Sequence, residues 1–136
     1  MCLLNKKLLL LLTIATIFIS ATNTEQKQSV HPGKVVYEKN CLSCHQADGN
    51  GVPGMNPPLS GTDWVTGNKE KLINVVLKGI TIPLEIDGER YHNPMPSHQY
   101  LTDKEIADVL SYIRSSFGNK VSAVSAEEVK KARMKK

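Results

Sequence analysis

In Cys41-Leu42-Ser43-Cys44-His45, two thiols lie three residues apart and a histidine directly follows the second thiol. Residues three apart lie on the same face of a helical turn, so the two sulfurs point the same way. Sulfurs placed like this can add to the two vinyl groups of a haem, and the adjacent imidazole can then bind the iron. The motif therefore predicts covalent haem attachment through Cys41 and Cys44, with His45 as an axial ligand.

Two other uses of these residues are less consistent with the rest of the chain. A thioredoxin-like redox pair belongs in a βαβ pattern, and the sequence has no such alternation of strands and helices. A structural zinc site needs four ligands, commonly as two Cys/His pairs. The remaining cysteine is Cys2, which lies in an N-terminal targeting segment, so zinc would require His45 and a distant histidine. Haem attachment is the prediction we retain.

The N-terminus has the composition of a secretory signal peptide. Lys6 and Lys7 precede an apolar run over 8–19, and small residues follow at 20–22. The run is shorter than the ~20 apolar residues that a membrane-spanning helix needs. We therefore expect a signal peptide over 1–21 and a linker over 22–31. Export would place the mature protein in the periplasm or another extracytoplasmic compartment.

The basic charge of the chain is concentrated at its two ends. The full sequence has 136 residues and a net charge of +4, but residues 32–119 contain eight cations and ten anions. This distribution gives no nucleic-acid-binding surface on the body of the protein. Residues 120–136 form a lysine-rich tail, which we expect to be solvated. Ser125 to Glu128 is a weak capping box that would start a short helix in this tail.

The intervening residues predict helices joined by loops. A helix over 33–40 follows Pro32, a second is predicted over 69–78, and a third begins at the capping box of Thr102 and Glu105. Gly, Pro and Asn dominate 46–61, which indicates a loop. Apolar residues alternate over 80–86 before an Asp-Gly turn signal, and this pattern predicts a small β-hairpin arm.

Met95 is the best candidate for a second axial ligand. Pro94 has a fixed φ angle, and Pro96 restricts Met95 to extended conformations, so the loop is largely set in advance. A neutral thioether favours ferrous iron and raises the reduction potential. His92 and His98 flank this loop and would give bis-His ligation at a lower potential. We expect both histidines to lie at the surface of a polar loop.

The chain resembles class I c-type cytochromes. The first helix of that family has the pattern Gly-x-x-x-aromatic-x-x-x-Cys-x-x-Cys-His, which Gly33, Tyr37, Cys41, Cys44 and His45 match. The resemblance implies an all-α domain over 32–119: a small cytochrome c fold of three to five helices around one haem c, with a short hairpin arm. It also implies that Gly33 lets the first and last helices cross closely, with Tyr112 facing the first helix.

The resemblance implies roles for two further residues. A proline carbonyl in the family accepts the Nδ1 proton of the proximal histidine, and Pro57 has the matching position. Trp64 is the single tryptophan. Its indole N–H could donate to a haem propionate, as aromatic donors do in related cytochromes, or Trp64 could simply pack in the core. In detail the chain is similar to haem domains that accompany quinoprotein dehydrogenases and some terminal oxidases.

These observations predict an electron carrier rather than an enzyme. It would take one electron from a dehydrogenase or a quinol-oxidising complex and pass it to an acceptor such as an oxidase. Contact with a membrane would be indirect, through those partners. The alternative is a haem protein with an open iron site that binds or senses a small gas, or has peroxidase-like activity. That alternative requires Met95 to be absent from the iron or readily displaced.

A short domain with few aromatic residues buries only a marginal core by itself, and aromatic residues make up 5% of this chain. We predict that replacing Cys41 and Cys44 with Ala leaves a largely unfolded, protease-sensitive chain, because haem supplies much of the core. Circular dichroism and limited proteolysis measure this, with Ser43→Ala as the control between the thiols. A compact haem-free domain with native-like helix content would contradict the prediction.

Overall fold

A computed structural model describes residues 31–81 and 83–135, so the predicted signal peptide and nearly all of the predicted linker lie outside it. The described residues form six helices and one antiparallel pair of strands: α1 Pro32–Asn40, α2 Leu42–His45, α3 Asp63–Thr66, α4 Lys69–Lys78, β1 Leu84–Ile86, β2 Glu89–Tyr91, α5 Asp103–Ser115 and α6 Ala126–Met134. The all-α class is confirmed. The helix count exceeds three to five because α2 and α3 are single turns and the tail adds α6. None of the described helices is long and apolar enough to span a membrane.

Helices α1 and α5 cross in direct backbone contact at Gly33. A Cβ atom on Gly33 would overlap the Asp108 carbonyl oxygen and lie 2.7 Å from Tyr112 Cβ. Beside this crossing the Tyr37 ring packs at 5.6 Å from the Tyr112 ring, measured between centroids. The expected close crossing and the aromatic contact are both confirmed. The partner helix is α5, which is followed by one more helix.

The core lies between α4, α5 and the tail. Thr102 and Glu105 form the predicted capping box, which satisfies backbone N–H groups at the start of α5. The inward face of α5 then buries four apolar side chains completely or nearly so: Ile106, Val109, Leu110 and Ile113. Arg114 is also buried, and its guanidinium donates to the carbonyls of Val65, Gly67 and Ser122. A buried cation needs such partners, so Arg114 joins α5 to α3 and the tail.

The predicted hairpin arm is present. Leu84 pairs with Tyr91 and Ile86 with Glu89, around a turn in which Asp87 and Gly88 have φ angles of 53° and 82°. Two successive positive φ angles are typical of the tight turn that Asp-Gly favours. Ile86 and Tyr91 are buried at the ends of the strands, so the arm contributes apolar surface to the interior.

The tail folds back onto the domain, which differs from the solvated tail expected from its charge. Helix α6 has the Ser125–Glu128 capping box at its start and buries Val129 and Ala132 against α4 and α5. Two ion pairs connect it to α4, with Lys69 Nζ 3.2 Å from Glu128 and Lys135 Nζ 2.8 Å from Glu70. The net charge of the tail does not reveal this contact, because it depends on two apolar residues, Val129 and Ala132. They lie three positions apart on one face of α6.

Arg133 of α6 connects the tail to the segment before α5. Its guanidinium donates to the carbonyls of Gln99 and Leu101, each at 2.8 Å, and to the Asp103 carboxylate at 2.8 Å. Three acceptors arranged around one planar guanidinium suit arginine and not lysine. The positive charge of the tail is therefore partly used within the fold.

Gly33→Ala tests the helix crossing. Alanine is the better helix former by about 1 kcal/mol, so at an open site this change would stabilise α1. Here the added methyl group meets the α5 backbone, and we predict destabilisation by about 1–3 kcal/mol. Chemical denaturation of the haem-loaded protein measures it, with Val35→Ala at an exposed position of α1 as the control. Unchanged or increased stability would show that the helices do not touch at Gly33.

Glu128→Gln tests the attachment of α6 through its pH dependence. Hydrogen bonding to the Ser125 backbone has the largest effect on Glu128. Together with the bonds to Lys69 and to the Ser125 side chain and with the charge of Lys69, it outweighs desolvation and holds the pKa of Glu128 below its ordinary 4.5. A depressed carboxyl pKa stabilises the fold above 4.5 and loses that contribution as the pH falls through the folded value. We predict a lower Tm for the variant at neutral pH and convergence with the parent in acid. A difference in Tm that is independent of pH would contradict this.

Candidate functional site

The two thiols and the imidazole come together on one turn. Backbone N–H groups of Cys44 and His45 donate to the Cys41 carbonyl at 3.2 and 2.9 Å, which closes the turn that begins α2. Cys41 is half-buried, Cys44 is exposed and His45 is 9% exposed. All three residues line a single large cavity. The arrangement presents both sulfurs at the edge of the cavity and the imidazole inside it.

The ring of His45 is oriented by a backbone carbonyl. His45 Nδ1 lies 3.0 Å from the Pro57 carbonyl oxygen. A carbonyl only accepts, so Nδ1 carries the hydrogen and the lone pair of Nε2 is left available. Burial lowers the pKa of His45, while the bond to Pro57 opposes this shift and His98 adds to it. The ring is therefore a neutral imidazole, the form that binds a metal.

The Cys41 thiol is poorly suited to the zinc alternative. Burial, with a smaller effect of the neighbouring Cys44, raises the pKa of the Cys41 thiol to about 11. Zinc binds cysteine as the thiolate, which this environment disfavours. Within 31–81 and 83–135, no group of three or more His, Cys, Asp or Glu residues is arranged to hold a metal ion. The motif is therefore better matched to thioether bonds with an organic ring.

The interior of the cavity is mainly apolar. Its walls come from α3, α4, α5, the hairpin arm and the adjoining loops, with these aliphatic side chains: Leu59, Val65, Leu72, Val75, Val76, Ile80, Leu84, Ile86, Leu101, Val109, Leu110 and Ile113. A flat hydrophobic ring such as a porphyrin would be surrounded by hydrocarbon here. Desolvation of this kind also strengthens electrostatic interactions with an iron ion.

Met95 lines the same cavity from a different loop. Its backbone exchanges two hydrogen bonds with Ile80, each 2.9 Å long, so a short bridge fixes the loop beside the end of α4. Gly79 makes this approach possible, because a Cβ atom there would overlap the Met95 carbonyl oxygen. The φ angle of Gly79 is 73°, which also favours glycine. The end of α4 thus positions Met95.

Trp64 and Thr62 lie at the wall formed by α3. Trp64 is half-buried and lines the cavity, and the Lys71 ammonium lies 3.6 Å from its ring centroid. Thr62 also lines the cavity, and its Oγ1 is buried without a hydrogen-bond partner among the described residues. Buried hydroxyl groups normally have a partner. A haem carries two carboxylates, which are acceptors of the kind this hydroxyl lacks.

The two histidines near Met95 differ. His92 is exposed, as expected. His98 is 8% exposed and lines the cavity, so the expectation of a surface histidine is wrong for this residue. Its Nδ1 lies 3.1 Å from the Tyr100 hydroxyl, which in turn lies 3.0 Å from Asn40 Oδ1. Sequence reasoning missed this network because Asn40 lies 60 residues before Tyr100, and only the fold brings them together.

These observations together test whether a haem suits the site. The thiols stand at one edge, a neutral and oriented imidazole lies inside, a thioether lines the same space, and the walls are apolar. The residues fit the group that the CxxCH motif implies. Haem would be held by Cys41 and Cys44 and would supply reversible one-electron chemistry at its iron.

Comparison with known proteins supports the same conclusion. Residues 30–117 match the family model described as Cytochrome c. Cytochrome c-552 of Thermus thermophilus is 41% identical over 113 residues, which cover 76% of this chain and 86% of that protein. The cytochrome c subunit of the quinone alcohol dehydrogenase of Gluconacetobacter polyoxogenes is 40% identical over 105 residues, or 75% of this chain and 22% of that subunit. The FixP subunit of the cbb3-type cytochrome c oxidase of Azorhizobium caulinodans is 31% identical over 88 residues, covering 63% of this chain and 29% of FixP.

The family match covers well over half of the chain, and the first of these relatives is matched along most of its own length. The residues that match the family model include the thiol pair, His45, the cavity walls and Met95. The chain therefore belongs to the cytochrome c family and carries a haem c bound covalently through Cys41 and Cys44.

Proposed function

We propose that this protein is a soluble one-electron carrier whose haem iron is bound axially by His45 and Met95. The observation that carries the proposal is that an oriented, neutral imidazole at the end of α2 and a thioether on a separate loop line one apolar cavity. Cys41 and Cys44 hold the ring, and their partly exposed turn leaves one edge of it near the surface. An edge of this kind is where electrons enter and leave.

Met95 is suited to be a ligand because its loop is firmly held. Thioethers are weak ligands, so the protein must bring the sulfur to the iron without a large entropy cost. Pro94 and Pro96 restrict the backbone on both sides, and the bridge to Ile80 fixes it to the end of α4. A Met ligand opposite His raises the reduction potential, which suits a carrier to a terminal acceptor.

Pro57 and Trp64 have supporting roles in this proposal. The Pro57 carbonyl sets the tautomer of His45 and increases its basicity, as an outer-shell acceptor does for many metal-bound histidines. Trp64 would donate its indole N–H to a haem propionate while Lys71 covers its ring. Trp64 thus adds a polar contact at a wall that is otherwise apolar.

The proposed role is that of a carrier and not of an enzyme. With both axial positions occupied by protein side chains, iron has no position left for an organic substrate or a gas. The open-site alternative would need a cavity without a second ligand, whereas Met95 lines this cavity and can supply that ligand.

The partners follow from the relatives and from the predicted export. Related chains are named as subunits of alcohol, fructose and gluconate dehydrogenases and of a cbb3-type oxidase. We propose a dehydrogenase or quinol-oxidising complex as the electron donor and an oxidase as the acceptor, in the periplasm or another extracytoplasmic compartment. Contact with nucleic acid is not part of this role, and contact with the membrane is through the partners. Electron-transfer encounters of this kind use small, short-lived interfaces.

Met95→His tests the axial ligand. An imidazole in place of the thioether favours ferric iron, so we predict a fall in reduction potential that is a substantial part of the ~0.8 V range available to axial ligands. Spectroelectrochemistry of the haem-loaded protein measures it. Met55→His is the matched control, because Met55 is 50% exposed and lies in another loop. An unchanged potential in Met95→His, or rapid cyanide binding by the unaltered ferric protein at neutral pH, would remove Met95 from the iron.

A further inference from the structure

We propose that His98, Tyr100 and Asn40 form a hydrogen-bonded clasp that holds the segment after Met95 against the end of α1, directly before the haem-attachment turn, and so keeps the thioether on the iron. The clasp consists of the His98–Tyr100 contact at 3.1 Å and the Tyr100–Asn40 contact at 3.0 Å. It makes these three residues positioning residues for Met95. The inference rests on the proposed function, because it assumes that Met95 binds the iron.

The direction of each bond in the clasp can be assigned. Asn40 Nδ2 donates to the Val36 carbonyl at 2.9 Å, which fixes the side-chain amide and leaves Oδ1 as an acceptor. The Tyr100 hydroxyl therefore donates to Asn40 Oδ1 and accepts from His98 Nδ1–H. The hydrogen bonds run in one direction, from His98 to Tyr100 and from Tyr100 to Asn40, so the three side chains form one continuous, polarised unit.

The two ends of the clasp reach opposite parts of the site. Asn40 is the last residue of α1, directly before Cys41, and His98 is three residues beyond Met95. Both line the cavity, whereas Tyr100 between them is 67% exposed. The tyrosine thus crosses the surface from the attachment side of the haem to the loop that carries the other ligand.

The other bonds to the segment after Met95 come from α4 and α6. The His98 N–H donates to the Val76 carbonyl at 2.9 Å, and the Ser97 hydroxyl donates to the Leu77 carbonyl at 2.6 Å. Arg133 of α6 supports the segment at Gln99 and Leu101, as described above. Among the hydrogen bonds of the described residues, the Tyr100–Asn40 bond is the one that connects residues 92–101 to α1.

The clasp does not depend on pH near neutrality. Nδ1 of His98 carries a hydrogen in both the neutral and the charged ring, so the bond to Tyr100 persists in either form. Burial also lowers the pKa of His98, which favours the neutral ring. The other titratable side chains that line the cavity are Cys41, Cys44, His45 and Tyr91, and His45 is close enough for His98 to lower its pKa. The device is mechanical: the thioether can leave the iron when the segment swings outward, and the clasp opposes that motion.

Tyr100→Phe tests the clasp with little risk to folding, because it removes one hydroxyl from an exposed ring. In the ferric, haem-loaded protein, added imidazole must displace Met95 to bind. We predict that the variant binds imidazole about threefold to tenfold more tightly than the unaltered protein, which corresponds to the loss of one hydrogen bond. Visible titration measures the affinity, and the ferric Met–iron charge-transfer band reports the ligand directly. Tyr112→Phe, at the crossing of α1 and α5, is the matched control and should leave the affinity unchanged.

A double-mutant cycle shows whether the residues act together. Asn40→Ala should also raise the imidazole affinity, and adding Tyr100→Phe to it should have little further effect, because the bond is already lost. Equal affinity in Tyr100→Phe and the unaltered protein, while the Met–iron band is present in both, would overturn the clasp and leave the proposed function intact. A wild-type ferric protein without that band, binding imidazole as tightly as Met95→Ala does, would overturn both.

Discussion

The contact between His45 Nδ1 and the Pro57 carbonyl, 3.0 Å long, is the interaction on which the site depends. It joins the turn that carries the thiols to the proline-rich loop and sets both the tautomer and the orientation of the imidazole. The loop is itself held by backbone bonds from Gly51 to His45 and from Leu59 to Gly49. Cys41 and Cys44 would hold a covalently attached ring beside this imidazole, whose own orientation is fixed by the Pro57 carbonyl.

The rest of the fold encloses the space above that imidazole. Helices α4 and α5 supply apolar walls, and the crossing at Gly33 brings α1 close enough for the attachment turn to face them. The end of α4 then positions Met95 through the bridge to Ile80. Helix α6 packs on α4 and α5, and its Arg133 holds the segment after Met95 at Gln99 and Leu101. The loop that carries Met95 also bonds directly to the proline-rich loop, from the His92 N–H to the Gly54 carbonyl at 3.2 Å and from the Asn93 N–H to the Met55 carbonyl at 3.1 Å. These bonds and the end of α4 together set the distance between the two loops.

The cavity wall contains few polar side chains, and most of them have identified hydrogen-bond partners. His45 has a backbone partner in the Pro57 carbonyl, whereas His98 is connected to the Asn40 side chain of α1 through the Tyr100 hydroxyl. Thr62 Oγ1 remains without a partner among the described residues, at a wall that also contains Trp64. An apolar cavity with few and well-placed polar groups is typical of a site for a flat organic cofactor.

The sequence by itself determined the features that depend on neighbours along the chain. The CxxCH turn, the capping boxes at Thr102 and Ser125 and the Asp-Gly hairpin turn are local, so side-chain type and spacing are enough to predict them. Only the tertiary structure decided which distant groups meet. The burial of His98, its connection through Tyr100 to Asn40, and the packing of the charged tail on α4 and α5 depend on contacts between residues far apart in sequence. The local sequence pattern cannot predict such contacts. A polar side chain is expected to be exposed, but it can be buried when a residue far away in the sequence supplies its hydrogen-bond partner.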